Sequence, residues 1–188
     1  MSIPTLKGGM LGKLPVKKHP YTLSLSKYLT PILPFLKPSV AWERKVTNWS
    51  MLGNDQYGDC VEAASGNTIM TMTSQSGIEY SPTTNQILQD YSNITGFNLN
   101  DPNSDNGTIM VDALAYYVKT GIVGRKILGW ASVKIDSSLW EFKQAISLFG
   151  TVLVGFNFAQ SAMDQFNSGL IWRIDTASPI VGGHCVAV

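Results

Sequence analysis

Apolar positions along this 188-residue chain change their period twice. Between residues 60 and 148 they recur at three- and four-residue spacing, the pattern of helices that bury one face. Val61, Ala64, Thr68, Ile69 and Met72 mark a first helix. Asp59 stands as its N-cap with Glu62 three residues on, a capping-box signature that places Cys60 at the first helical position. Ser81 and Pro82 read as the N-cap and first residue of a second helix running to about Tyr91, with Ile87, Leu88 and Tyr91 on one face. A third covers 108–120, with Met110, Leu114, Tyr117 and Val118 inward and Gly121 as its stop. A fourth covers 138–148, with Leu139, Phe142, Ala145 and Ile146 on one face. From residue 151 the period shortens. Residues 151–157, 169–175 and 182–188 read as strands, with a short helical turn around 162–166 between the first two. Helices first and strands last predict an α+β protein, a helical lobe of about 46–130 followed by a β lobe of about 131–188.

Before residue 46 neither period holds. Residues 1–40 carry six of the nine prolines, which excludes long helices and predicts an extended arm over 1–45. Its apolar residues Tyr28, Leu29, Ile32, Leu33, Phe35 and Leu36 are too many for a pure linker, so the arm is expected to pack on something. Charge points the same way. Residues 1–45 hold eight basic residues against Glu43, a balance of +7, whereas the remaining six basic and twelve acidic residues give −6. An arm and a body of opposite sign attract, so the arm's partner is its own body or a separate acidic one. Nothing in the arm interleaves aromatic and basic residues as nucleic-acid binders do.

Composition is that of a globular domain, 44% hydrophobic and 14% charged, with no apolar run long enough for a membrane span. Residues 1–20 lack an apolar segment of signal-peptide length, so the expectation is a protein kept inside a cell. Asp101 and Asp105 lie in a polar loop whose composition is ordinary turn chemistry rather than a calcium site, and no metal or cofactor is expected.

Two residues carry candidate chemistry. Cys60, at a helix tip, would feel unpaired backbone N–H groups and the positive end of the helix dipole, which favour a thiolate. A lone cysteine is more often a small buried hydrophobe, so the position alone decides little. His184 opens the last strand after Gly182 and Gly183, 124 residues downstream. A thiol on one lobe and an imidazole on the other is what nucleophilic thiol catalysis requires.

In order and content the chain over 46–188 resembles the papain-like cysteine peptidases, in particular divergent bacterial and phage members. Trp49 through Ala64, with its Gly-Asn-Asp-x-x-Gly-Asp-Cys turn, resembles the segment leading into the family's catalytic helix. Tyr80-Ser81-Pro82 with Ile87-Leu88, then Gly107-Thr108, Ala113-Leu114 and Gly121-Ile122, resemble the elements that follow it. Residues 139–156, Phe166, Gly169-Leu170-Ile171 and Gly183-His184 resemble the β lobe up to its catalytic histidine. The resemblance implies a two-lobed fold acting on peptide or protein substrates. Cys60 would be the nucleophile and His184 the general base and acid. Asn54 stands where the family has its oxyanion-hole glutamine, with Gln56 as the alternative donor.

The family's Cys-Gly-Ser-Cys-Trp turn is replaced by Gly58-Asp59-Cys60-Val61. Its histidine-orienting Asn or Asp follows the His, whereas here Asp175 precedes His184 and Val188 is the last residue. The expectation is therefore an antiparallel β lobe lacking its C-terminal strands, with an open apolar edge for a complementary C-terminal fragment to cover. A catalytically inactive papain-like module, serving as a phage virion or assembly component, is the alternative. Under a third reading residues 1–45 act as a propeptide over the cleft.

Overall fold

A computed structural model describes residues 10–30 and 39–188. The arm's Ile32, Leu33, Phe35 and Leu36, with Pro4, Pro31, Pro34 and Pro38, lie outside the described residues. The helices are α1 (Cys60–Gln75), α2 (Thr84–Thr95), α3 (Met110–Lys119), α4 (Trp140–Phe149) and α5 (Gln160–Asn167). The strands are β1 (Leu23–Ser24), β2 (Ala131–Ser132), β3 (Leu153–Ala159) and β4 (Ile180–Ala187). This is a mixed α+β architecture. No helix of the described residues is long and apolar enough to cross a membrane.

The other elements are assembled on α1, which contacts α2, α3 and β4. Cys60, Val61, Ala64 and Ile69 of α1 share one core with Ala113 and Tyr117 of α3, Ile122, and Cys185 of β4. Ala63 packs instead with Leu52 and Ile87 of the α2 side. Each large aliphatic side chain so buried is worth roughly 1.5–3 kcal/mol. The single buried face expected of α1 is therefore corrected. All seven residues 60–66 are buried, because the helix has neighbours on more than one flank, while Met72 is 50% exposed beyond them.

Boundaries shift for local reasons. α2 starts at Thr84, not at Pro82. Thr83 is its N-cap and completes a capping box with Gln86, where Ser81 uses its hydroxyl on Glu79. Ile87, Leu88 and Tyr91 are buried as the periodicity requires. α4 starts at Trp140, because Asp136 accepts from Ser138 N and Oγ and the Ser138 hydroxyl accepts from Trp140 N. Leu139 takes a left-handed backbone conformation there and is exposed, not inward.

β3 and β4 pair antiparallel, Leu153 opposite Ala187 and Phe156 opposite His184. The strand expected over residues 169–175 is absent: these residues have no regular secondary structure. Their backbone is held from one side by Gln165, whose amide accepts from Arg173 N and donates to Arg173 O, and Leu170, Ile171 and Ile174 stay exposed. The short turn expected near 162–166 is instead the two-turn helix α5.

Residues 10–24 are extended and joined to the remainder of the chain at several points. Lys13 bridges Thr108 in parallel sense, β1 pairs parallel with β2, and Trp130 donates to the Thr22 hydroxyl. Lys17 pairs with Asp112 at 2.9 Å, an exposed contact worth at most about 1 kcal/mol.

Candidate active site

The turn before Cys60 is fixed by its own backbone and by one distant carboxylate. Asn54 N donates to Met51 O, and Gln56 N and Tyr57 N both donate to Gly53 O. Gly53 has φ +110°, the left-handed region open to glycine. Gly58 N then donates to both oxygens of Asp105 at 3.0 Å. The same carboxylate accepts from the Tyr91 hydroxyl at 2.6 Å, and that hydroxyl accepts from Gly107 N at 2.9 Å. The turn, α2 and the Gly107 loop are thus locked together. Asp105 does structural work here, and Asp101 caps its own turn through Asn103 N. The Asp101 role is the local turn chemistry its loop predicts, whereas that of Asp105 is not visible in local patterning, since the Gly58–Asp105 pair is 47 residues apart in sequence.

Cys60 is the first residue of α1, as its spacing predicts, but the capping box is corrected: Asp59 makes no side-chain cap. Among the described residues both Asp59 oxygens are buried without a hydrogen-bond partner, and Glu62 accepts from Thr108 Oγ1 at 3.1 Å while its other oxygen has no partner. Asn54 lies beside Asp59, but its amide hydrogens go to Met10 O and Tyr57 O. Burial first, and the neighbouring Glu62 charge second, push the Asp59 carboxyl up to about 8. Burial also raises Glu62 to about 8. Two carboxyls that are neutral at pH 7 therefore stand near Cys60.

This has a measurable consequence. The folded protein keeps the Asp59 proton to about pH 8, whereas the unfolded chain releases it near its ordinary 3.8. Between those values the native state holds more protons, so stability falls as pH rises, by up to about 1.4 kcal/mol per pH unit for each such group. Asp59→Asn should leave stability near wild type at pH 4 and raise it at pH 8, flattening the profile of urea midpoint against pH. Parallel profiles for variant and wild type would refute the linkage.

His184 stands on β4, its ring edge-on to Phe158 at 5.3 Å and to Phe156 at 5.9 Å. Its Nδ1 is buried with no partner among the described residues, and burial lowers its pKa, so the imidazole is neutral. Asp175 does not orient it. That carboxylate accepts from Ala177 N and closes its own turn. Cys60, His184 and Asn54 line one cavity of about 590 Å³, with Trp172, Phe158 and Leu11 on the same wall. Gln56 is exposed and is not among the residues lining it.

Residues 10–14 are bound beside this cavity, with Leu11 lining it and Met10 hydrogen-bonded to Asn54. Met10 N donates to Asn54 O at 2.6 Å, and Asn54 Nδ2 donates to Met10 O at 2.9 Å. Thr108 N donates to Gly12 O, Leu14 N to Thr108 O, and Lys13 N to Gly183 O, the carbonyl just before His184. The backbone of Gly12 also lies against the Cys60 sulfur as a hydrogen-bond donor, as does that of Cys185; burial outweighs both and lifts the thiol to about 11. A sulfur that meets an N–H faces no electrophilic carbon. Cys60, His184 and Asn54 thus share one cavity, with residues 10–14 of the same chain bound beside it.

No protein-family model matches the chain, and no curated protein matches its sequence. Among solved structures it is similar to xylellain, a cysteine protease from Xylella fastidiosa, with a TM-score of 0.59 over 96% of this chain and 79% of that one, at 16% identity. With α1 opening at a cysteine and packing against the strand that carries the histidine, the chain has a papain-like fold, the fold of a cysteine protease.

Proposed function

We propose that the chain is a papain-like thiol peptidase or amidase, captured here in a closed state with its own arm in the cleft. The observation that carries this reading is the common cavity of Cys60 and His184, one at the tip of the core helix and the other on the strand packed against it. In the open cleft His184 takes the Cys60 proton, and the sulfur attacks a carbonyl carbon. The tetrahedral oxyanion would rest on Asn54 Nδ2 and the Cys60 N–H, a donor worth about 3 kcal/mol in comparable sites. Collapse expels the amine with the proton from His184 and leaves a thioester, which a water deprotonated by the same imidazole then hydrolyses. Asn54 Nδ2 now donates to the Met10 carbonyl, so the amide becomes free for an oxyanion only when residues 10–14 leave.

The second reading, a non-catalytic module used in assembly, draws on the neutral thiol and the unpartnered His184 Nδ1. Cys60→Ala separates the two. Hydrolysis of a denatured protein substrate by the wild-type chain should fall to background in the variant, with an unchanged circular dichroism spectrum. Equal hydrolysis by both proteins would remove Cys60 from the mechanism.

A further inference from the structure

The segment over Cys60 is squeezed between glycines. A Cβ added to Gly12 would run into the Gly58 carbonyl oxygen and stand 2.6 Å from Gly58 Cα. A Cβ on Gly107 would in turn stand 2.9 Å from Gly12 Cα. Both distances are far inside van der Waals contact, and the atoms met are backbone, which cannot swing aside as a side chain can. Gly12 is not among the glycines with positive φ, so its backbone conformation is open to any residue and space alone demands glycine. Further along, a Cβ on Gly183 would run into the Lys13 carbonyl, and one on Gly182 would stand 2.7 Å from Leu11 Cδ1.

The walls of this slot belong to the body. Gly58 is held by Asp105, Gly107 by Tyr91, and Gly182 and Gly183 by the β3–β4 pairing. Its width therefore persists when the arm leaves, and widening it means breaking those hydrogen bonds. Gly58 and Gly107 both stand in close contact with the Gly12 backbone, so a strand that passes this point as Gly12 does has no room for a side chain. We infer that the position over the Cys60 sulfur is selective for glycine, and that the substrates are peptides or proteins whose attacked carbonyl belongs to a glycine residue. This rests on the peptidase reading and names the substrate class of the same site.

Matched peptidyl chloromethyl ketones that end in Gly, Ala or Phe test it, with Cys60 labelling followed by mass spectrometry. In the reaction the Cys60 sulfur bonds to the methylene carbon, chloride leaves, and the thiol proton passes to His184. Rates are divided by those with free glutathione to remove intrinsic reactivity. They are read on the full-length Gly12→Val chain, whose arm cannot seat, and at longer times on wild type, which keeps the ranking measurable if the variant misfolds. The expected result is a glycine probe at least about tenfold faster than the alanine probe, and slower still for phenylalanine. Equal corrected rates, or a faster alanine probe, overturn the glycine slot and leave the thiol-enzyme reading standing. Failure of every peptidyl probe to label Cys60, while iodoacetamide labels it freely in the same protein, overturns both.

Discussion

Gly12→Val should raise the rate at which iodoacetamide alkylates Cys60 by roughly fivefold at pH 7. The estimate comes from the contacts of residues 10–14. Their backbone makes five hydrogen bonds to Asn54, Thr108 and Gly183. At about 1 kcal/mol net each, with about 1 kcal/mol for the half-buried Leu11, they supply roughly 6 kcal/mol. Ordering five residues costs about 1 kcal/mol each, which leaves a closed state favoured by roughly 1 kcal/mol. Only the open fraction reacts, so removing the closed state raises the rate by about the closing constant, roughly fivefold. Opening also admits water to a thiol whose raised pKa comes first from burial, which adds to the gain. Val16, 87% exposed, is the control position: Val16→Ser should leave the rate unchanged. An unchanged rate in Gly12→Val, with the fold intact by circular dichroism, would mean that the arm does not limit access to the thiol.

The arm's position also shows where the sequence was informative. Charge asymmetry and the prolines were enough to expect an extended basic arm against an acidic body, and Lys17 on Asp112 is one contact of that kind. They could not place Gly12 over Cys60, because that placement depends on the absence of a side chain at Gly12, Gly58 and Gly107, three positions up to 95 residues apart. The helices were legible for the usual reason: Ile87, Leu88 and Tyr91 repeat at a spacing that only a helix buries on one side. α1 followed the same code at its start and departed from it in burial, since a helix packed on several flanks has no polar face to define a period.

Residues 169–175 misled for a related reason. Leu170, Ile171, Trp172 and Ile174 are strand-forming residues, and local propensity takes no account of whether a partner strand lies alongside. Trp172 lies edge-on to Phe158 at 5.2 Å and to Phe156 at 6.1 Å, while Leu170, Ile171 and Ile174 are mostly exposed. The two residues that carry the proposed chemistry were legible, Cys60 because a helix start is a local feature and His184 because it lies in a strand-forming run, though it falls in the middle of β4 and not at its start. Its supports were not. Asp105 reads as turn chemistry and Tyr91 as core, and both are so in part, yet together they fix Gly58 and Gly107.

His184→Ala, placed in the Gly12→Val background, should lower peptide hydrolysis by about 10³-fold or more, the scale of removing a general acid–base group from a thiol enzyme. In the closed state the imidazole is neutral because burial alone depresses its pKa, and no carboxylate partners Nδ1. Opening the cleft relieves that burial, the pKa rises, and a protonated imidazole can hold a thiolate beside it. Alkylation of Cys60 in Gly12→Val should therefore stay fast down to pH values well below the ordinary thiol value of about 8.5. In the double variant the same profile should follow the unassisted thiol and fall about tenfold per pH unit below it. A structural role for His184 predicts something else: lower stability with an unmoved profile. The pH dependence, not the loss of rate, therefore decides whether this imidazole acts on the sulfur.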